Sequence, residues 1–248
     1  MRRFFTEPQN IRGDTAVLQE DAAHITRVLR MSPGDMICIF DGTGTEYTAR
    51  LESLDQACCT ARIVSRSQAV SEPDVQVTLY QGLPKAGKME QIIQKAVELG
   101  VHAVVPVQTA RCVARLSADR RGLEKISRYQ KVAVAAAKQC GRGILPQILP
   151  PVSFAEAVSA MAACDLALMP YEGLGHEGQH NLKAVLGAHP DAGTIGVLIG
   201  PEGGFSDQEV QAAQAVGLHL VGLGPRILRT ETAGSTMLSV IMYEKNEL

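Results

Sequence analysis

From residue 75 onward, short apolar runs alternate with longer stretches of helical periodicity, and few folds accommodate that alternation. VQVTLYQ (75–81), VHAVVPVQ (101–108), DLALMP (165–170), TIGVLIG (194–200) and HLVGLG (219–224) read as strands. MEQIIQKAVELG (89–100), residues 121–140 and 153–163, SDQEVQAAQAVG (206–217) and ETAGSTMLSVIMYE (231–244) read as helices. A Pro/Gly-rich break, GRGILPQILPP (141–151), interrupts them. A strand that reaches its neighbour through a helix enters the sheet in the same direction, so the expectation is a parallel α/β sheet. Sites in such sheets form at the carboxyl ends of the strands.

The first 70 residues follow a different pattern. DMICIF (35–40), a D-G-T-G turn (41–44), TEYTARLESL (45–54) and CCTARIVSR (58–66) suggest a hairpin-built sheet or small barrel. Asp21 is positioned to cap a helix whose apolar residues Ile25, Val28 and Leu29 share one face. SQAVSEPD (67–74) reads as a polar linker, which divides the chain into domains 1–70 and 71–248. There is no internal repeat.

With 46% apolar residues and a net charge of −2, the chain can bury a core and is not disordered. Near-neutral charge also argues against a protein that coats DNA. The longest apolar run, VAVAAA (132–137), is far below the ~20 residues of a membrane span, and MRRFFTEPQ lacks the apolar segment of a secretory signal. The expectation is a soluble, cytoplasmic protein. Every basic residue before position 70 is an arginine, the side chain best shaped for phosphate, but as many acidic residues share the stretch. The six cysteines show no C-x-x-C spacing and read as buried, reduced thiols, with no zinc site or disulfide framework.

Two motifs invite a functional reading and fail on context. Gly82-x4-Gly87-Lys88 has the spacing of a phosphate-binding loop, but Met89 stands where a magnesium-binding hydroxyl belongs. It reads better as a turn before a helix. His176-Glu177-Gly178-Gln179-His180 spells a zinc-protease motif, but Gly173, Gly175 and Gly178 are poor helix formers. It reads as a loop.

The stretch TIGVLIG-PEGG-FSDQEV (194–210) is more specific. An apolar strand runs into a Gly-rich loop where Gly203 and Gly204 allow close backbone approach by a ligand. Ser206 and Glu209 then form a capping box for the next helix. The spacing is not that of a dinucleotide site. The strand HLVGLG leads into PRILRTETA, bringing Arg229, Thr230, Glu231 and Thr232 to the mouth of the same sheet.

LIGPEGGFSDQEV and LGPRILRTETA, together with KAGKMEQIIQKAVELGV (85–101), AAKQCGR (136–142) and RVLRMSPGD (27–35), resemble the RsmE family of 16S ribosomal RNA methyltransferases, of the SPOUT class. The resemblance covers nearly the whole chain. It implies a PUA-like N-terminal barrel, an α/β domain with a C-terminal trefoil knot, and a homodimer. It also implies transfer of a methyl group from S-adenosylmethionine to N3 of uridine 1498 in 16S rRNA of the small ribosomal subunit, without a metal. Lys138 and Ala110 stand where the family pattern suggests acidic residues, and both departures concern the RNA groove rather than the cofactor loops.

By this resemblance the cofactor is held by Met169, Tyr171, Ile199, Gly200, Glu202, Gly203, Leu223, Gly224, Ile227, Leu228 and Thr232. Glu231 is a candidate to accept the N3 proton and Arg229 to stabilise charge on the uracil oxygens. The competing role for that pair is a salt bridge that shapes the knot. Arg2, Arg3, Arg27 and Arg30 in the barrel and Arg142 in the larger domain are the RNA-binding candidates, against a plain solvated surface. An RNA-binding module without catalysis, and a methyltransferase acting on another base, both stay open from sequence.

Overall fold

The computed structural model describes residues 1–85, 87–116, 119–174 and 181–248. They form two compact units, one of Met1–Glu72 with Val134–Leu145 and one of Pro73–Ala133 with Pro146–Leu248.

The first unit is a sheet of β1 (Arg2–Phe5), β2 (Ile11–Arg12), β3 (Thr15–Leu18), β4 (Met36–Phe40), β5 (Thr45–Leu54) and β6 (Cys59–Gln68). Its order is β1-β4-β5-β6-β3-β2, antiparallel except for β1 against β4. Alternation decides which side is buried: Tyr47, Ala49 and Leu51 of β5 and Cys59, Ala61 and Ile63 of β6 all point into one core. In the D-G-T-G turn, Asp41 accepts hydrogen bonds from the Thr43 amide (2.9 Å), the Thr43 hydroxyl (2.7 Å) and the Tyr47 hydroxyl (2.8 Å), while Gly42 and Gly44 supply positive φ angles.

Several expectations for this unit need correction. Asp21 does not cap the following helical turn; its carboxylate instead holds Lys138 Nζ at 2.6 Å, so the residue that departs from the family pattern has an ion-pair partner. The turn (His24–Val28) is π-helical, with Ile25 buried but Val28 66% exposed. It ends at Arg30 in the left-handed region (φ 50°), with the Met31 amide bonded back to the Ile25 carbonyl. The 67–74 stretch is not a solvated linker throughout. Ser67 and Gln68 finish β6, and Glu72 is anchored on Arg142 (2.8 Å) and on the Gly143 and Ile144 amides.

The second unit contains β7 (Gln76–Gly82), α1 (Lys88–Glu98), β8 (Ala103–Gln108), most of α2 (Arg120–Cys140), β9 (Gln147–Ile148), β10 (Val152–Ser153) and α3 (Phe154–Met161). It continues with β11 (Leu166–Pro170), α4 (Leu182–Ala188), β12 (Thr194–Ile199), α5 (Asp207–Ala215), β13 (His219–Val221) and α6 (Thr230–Glu244). All strands pair in parallel, in the order β10-β8-β7-β12-β11-β13 with β9 on β8. α1 buries Met89, Ile92, Ile93, Ala96 and Val97, one stripe at helical spacing. The expected capping box of Ser206 and Glu209 is present, and Ser153 with Glu156 forms another. α4, β9 and β10 escape periodicity because each is too short to show one.

The H-E-x-x-H stretch lies outside the described residues. Among those described, no group of three His, Cys, Asp or Glu could hold a metal ion, and no helix is long and apolar enough to cross a membrane. None of the six cysteines is in a disulfide; Cys59 is buried as expected, whereas the other five are only half-buried.

Candidate active site

Three adjacent strands, β12, β11 and β13, release their chains at the same end of the second sheet. The segments that follow them, 170–172, 199–205 and 222–230, enclose a cleft of about 530 Å³. Ile199, Leu223, Ile227 and Leu228 give it apolar walls, and Tyr171, Glu172, Glu202, Arg226 and Arg229 give it polar ones. Glycines shape the backbone: Gly204 and Gly224 adopt φ angles of 65° and 93°, and a Cβ on Gly200 would stand 3.1 Å from the Phe205 ring.

A buried polar chain fixes the cleft floor. The Thr230 hydroxyl donates to the Gly200 carbonyl (2.6 Å) and accepts from Gln81 Nε2 (2.8 Å), joining the start of α6 to the ends of β12 and β7. Gln81 is fully buried and also donates to the Gly82 carbonyl. Gly82 has a packing role: a Cβ there would lie 2.7 Å from the Pro201 nitrogen. On the other side of the Gly-rich loop, Arg111 Nη1 donates to the Gly203 carbonyl (3.1 Å), and Glu209 accepts from the Ala110 amide (2.8 Å).

The charged core of the site is Lys88. Its Nζ lies 3.1 Å from Glu202 Oε1 and 3.1 Å from Glu231 Oε2. These two carboxylates raise the ammonium above the usual lysine range. Burial pushes the Glu202 carboxyl up, but its own amide, Lys88 and the Lys85 amide outweigh that and hold it low. Glu231 is also held below the ordinary range, first by its own amide and then by Lys88, with Arg229 contributing. Among the described residues Glu231 takes its ion pair from Lys88 and not from Arg229.

Of the sequence candidates, Tyr171, Ile199, Gly200, Glu202, Leu223, Gly224, Ile227, Leu228 and Arg229 line the cleft. Met169 does not, because its side chain is wholly buried in the core. Gly203 faces Arg111, Thr232 is exposed on α6 beyond the lining, and Glu231 reaches the cleft only through Lys88. In the first unit Arg2, Arg27 and Arg30 are exposed. The other two candidates, Arg3 and Arg142, are engaged by neighbours in the same unit. Arg3 is bound to Glu46 (2.8 Å) and the Arg142 carbonyl (2.7 Å) and stacks on Phe40, and Arg142 is 5% exposed and paired with Glu72. These contacts hold both guanidinium groups within the unit. Sequence reading missed Lys88 and Gln81; the available signals were the G-x4-G-K spacing at a helix start and a glutamine ending an apolar strand.

A family model described as "RNA methyltransferase domain" matches residues 71–242, and one described as "RNA methyltransferase PUA domain" matches residues 19–61. The chain is 33% identical to ribosomal RNA small subunit methyltransferase E of Bacillus subtilis, covering 98% of this chain and 97% of that protein. It is also 33% identical to the protein of that name from Synechocystis sp., covering 96% and 76%. Its fold matches the crystal structure of ribosomal RNA small subunit methyltransferase E from Neisseria gonorrhoeae bound to S-adenosyl methionine, with a TM-score of 0.87, 32% identity and coverage of 98% and 97%.

Proposed function

The chain belongs to the RsmE family of ribosomal RNA methyltransferases, and on that premise we propose that it methylates N3 of uridine 1498 in 16S rRNA of the small ribosomal subunit, with S-adenosylmethionine as donor. The observation that carries this is the cleft at the ends of β11, β12 and β13. Its residues suit the donor. Gly204 and Gly224 let backbone groups approach a ligand, apolar walls match an adenosine face, and Glu172 complements a cationic centre.

When bound, S-adenosylmethionine supplies a methyl group already activated by a sulfonium charge, so the reaction calls for no metal. The protein's task is alignment and charge. The uridine imide gives its N3 proton to water at the open cleft. The exposed Arg229 guanidinium stabilises the negative charge that this leaves on the uracil oxygens. Glu231, held ionised and already paired, is a weak base and serves better as Lys88's partner. Ile199, Gly200, Leu223 and Leu228 hold the adenosine through backbone groups.

The same reading takes residues 1–70 as a PUA-like barrel that meets RNA phosphates through Arg2, Arg27 and Arg30, and residues 71–248 as the catalytic domain. It includes a trefoil knot around the cleft loops, a homodimer and a cytoplasmic location. The tie from Thr230 to Gly200, which pulls the start of α6 onto the end of β12, is consistent with such a knot.

The test is incubation with methyl-labelled S-adenosylmethionine and small subunits lacking the modification, followed by nucleoside mass spectrometry. The expected product is 3-methyluridine. A label on another base overturns the uridine assignment, and absence of both label and cofactor binding leaves an RNA-binding module.

A further inference from the structure

We propose that Lys88 is a positioning residue for methyl transfer: by occupying the Glu231 carboxylate it leaves the Arg229 guanidinium available to the cleft. This rests on the reaction proposed above. Lys88 opens α1, where the helix dipole disfavours a cation, so its presence there calls for compensating charge. Glu202 and Glu231 supply that charge at 3.1 Å each. The three residues come from α1, the Gly-rich loop and α6, which are far apart in sequence, and the ammonium is the point where these elements meet.

Arg229 stands two residues from Glu231, close enough to influence its carboxyl, and would be its natural partner. Lys88 takes that place. The other charged groups near the cluster are Lys85, whose amide binds Glu202, Arg226 and Glu172 on the cleft wall, and Glu90 of α1, which is paired with Arg128. Without Lys88, two carboxylates lose their shared cation, and Glu231 turns to Arg229 instead.

The experiment compares full-length Lys88→Met, Lys88→Arg, Glu231→Gln and the double variant Lys88→Met/Glu231→Gln. The readouts are methyl-transfer kinetics on small subunits, S-adenosylmethionine affinity by calorimetry, and titration of the Glu231 carboxyl by NMR. Lys88→Met is expected to lower kcat about tenfold to a hundredfold with cofactor Kd changed less than about threefold, while the Glu231 titration stays low because Arg229 replaces the ammonium. Removing the carboxylate as well restores kcat by about threefold or more, and Lys88→Arg keeps most of it. Glu231→Gln alone, which leaves Lys88 on Glu202 and removes the carboxylate that competes for Arg229, costs at least about threefold less kcat than Lys88→Met, and Lys88→Gln takes the place of Lys88→Met should that variant fail to fold. A double variant no better than Lys88→Met, or a Glu231→Gln loss as deep as that of Lys88→Met, overturns the proposal. If the unaltered protein transfers no methyl group, the reaction is wrong, and the Glu231 titration still decides: low in Lys88→Met but raised once Arg229→Ala is added, it supports the exchange of partners; raised already in Lys88→Met, or low in both, it overturns it.

Discussion

Replacing Thr230 with valine changes almost no volume and removes one hydroxyl, yet that hydroxyl links three elements. It donates to the Gly200 carbonyl at 2.6 Å and accepts from Gln81 Nε2 at 2.8 Å, in a residue only 5% exposed. Without it, one N–H of the buried Gln81 amide loses its partner, at a cost of about 1–3 kcal/mol. The Gly200 carbonyl borders the cleft and can be reached by water, so its loss is smaller, about 0.5–1 kcal/mol. The sum is about 1.5–4 kcal/mol, which for a chain of this size lowers the melting temperature by about 3–16 °C. Thermal and urea unfolding of Thr230→Val, Gln81→Leu and the double variant provide the assay. Because Gln81→Leu removes the orphaned donor, the double variant is expected to be about 1 kcal/mol more stable than the sum of the singles predicts. Strict additivity, or a Thr230→Val cost below about 0.5 kcal/mol, would refute the claim that this chain holds the cleft floor.

Three further outcomes follow from the same contacts. Arg229→Ala is expected to cut turnover about a hundredfold or more while cofactor affinity stays nearly unchanged, as steady-state kinetics and calorimetry would read; equal losses in both would reject its catalytic role. Reversing charge at Arg27 and Arg30 should weaken RNA binding and flatten the slope of log affinity against log salt by roughly 1.5, whereas Arg142→Met should leave that slope alone and cost about 3–5 kcal/mol of stability. For Glu72, burial pushes the carboxyl up, but Arg142 and the Ile144 and Gly143 amides outweigh it and leave it below the ordinary range. The depressed folded value means this contribution is complete above the unfolded glutamate range, near pH 4.3, and is lost as pH falls through the folded value. Glu72→Gln should therefore flatten acid unfolding below about pH 4.3 while lowering stability at pH 7; an unchanged acid limb would show that another group controls it.

How far the sequence reveals this molecule depends on the range of the interactions involved. Ser206 and Glu209 lie within one helical turn, so their capping box can be read directly from the residues. The buried stripe of α1 and the alternation of Tyr47, Ala49 and Leu51 are equally local, because backbone period alone decides which side chains share a face. The cleft loops at 199–205 and 222–230 could be found because glycines and polar residues follow apolar strands in a parallel sheet, where strand ends form sites.

What failed was partner choice across long separations. Asp21 reads as a cap for its own helix but binds Lys138, Glu72 reads as part of a solvated linker but lies against Arg142, and Lys88 reads as a turn residue although it joins Glu202 to Glu231. A charged side chain carries no local mark of the group that will neutralise it; desolvation by the packed fold makes a partner necessary, and the fold alone determines which one is within reach. The sequence therefore determined the longer strands and helices and the end of the sheet where the site forms, because those rest on neighbours along the chain. Only the tertiary structure decided which arginines stay exposed and which cation joins Glu202 to Glu231, because those rest on residues brought together from distant parts of the chain.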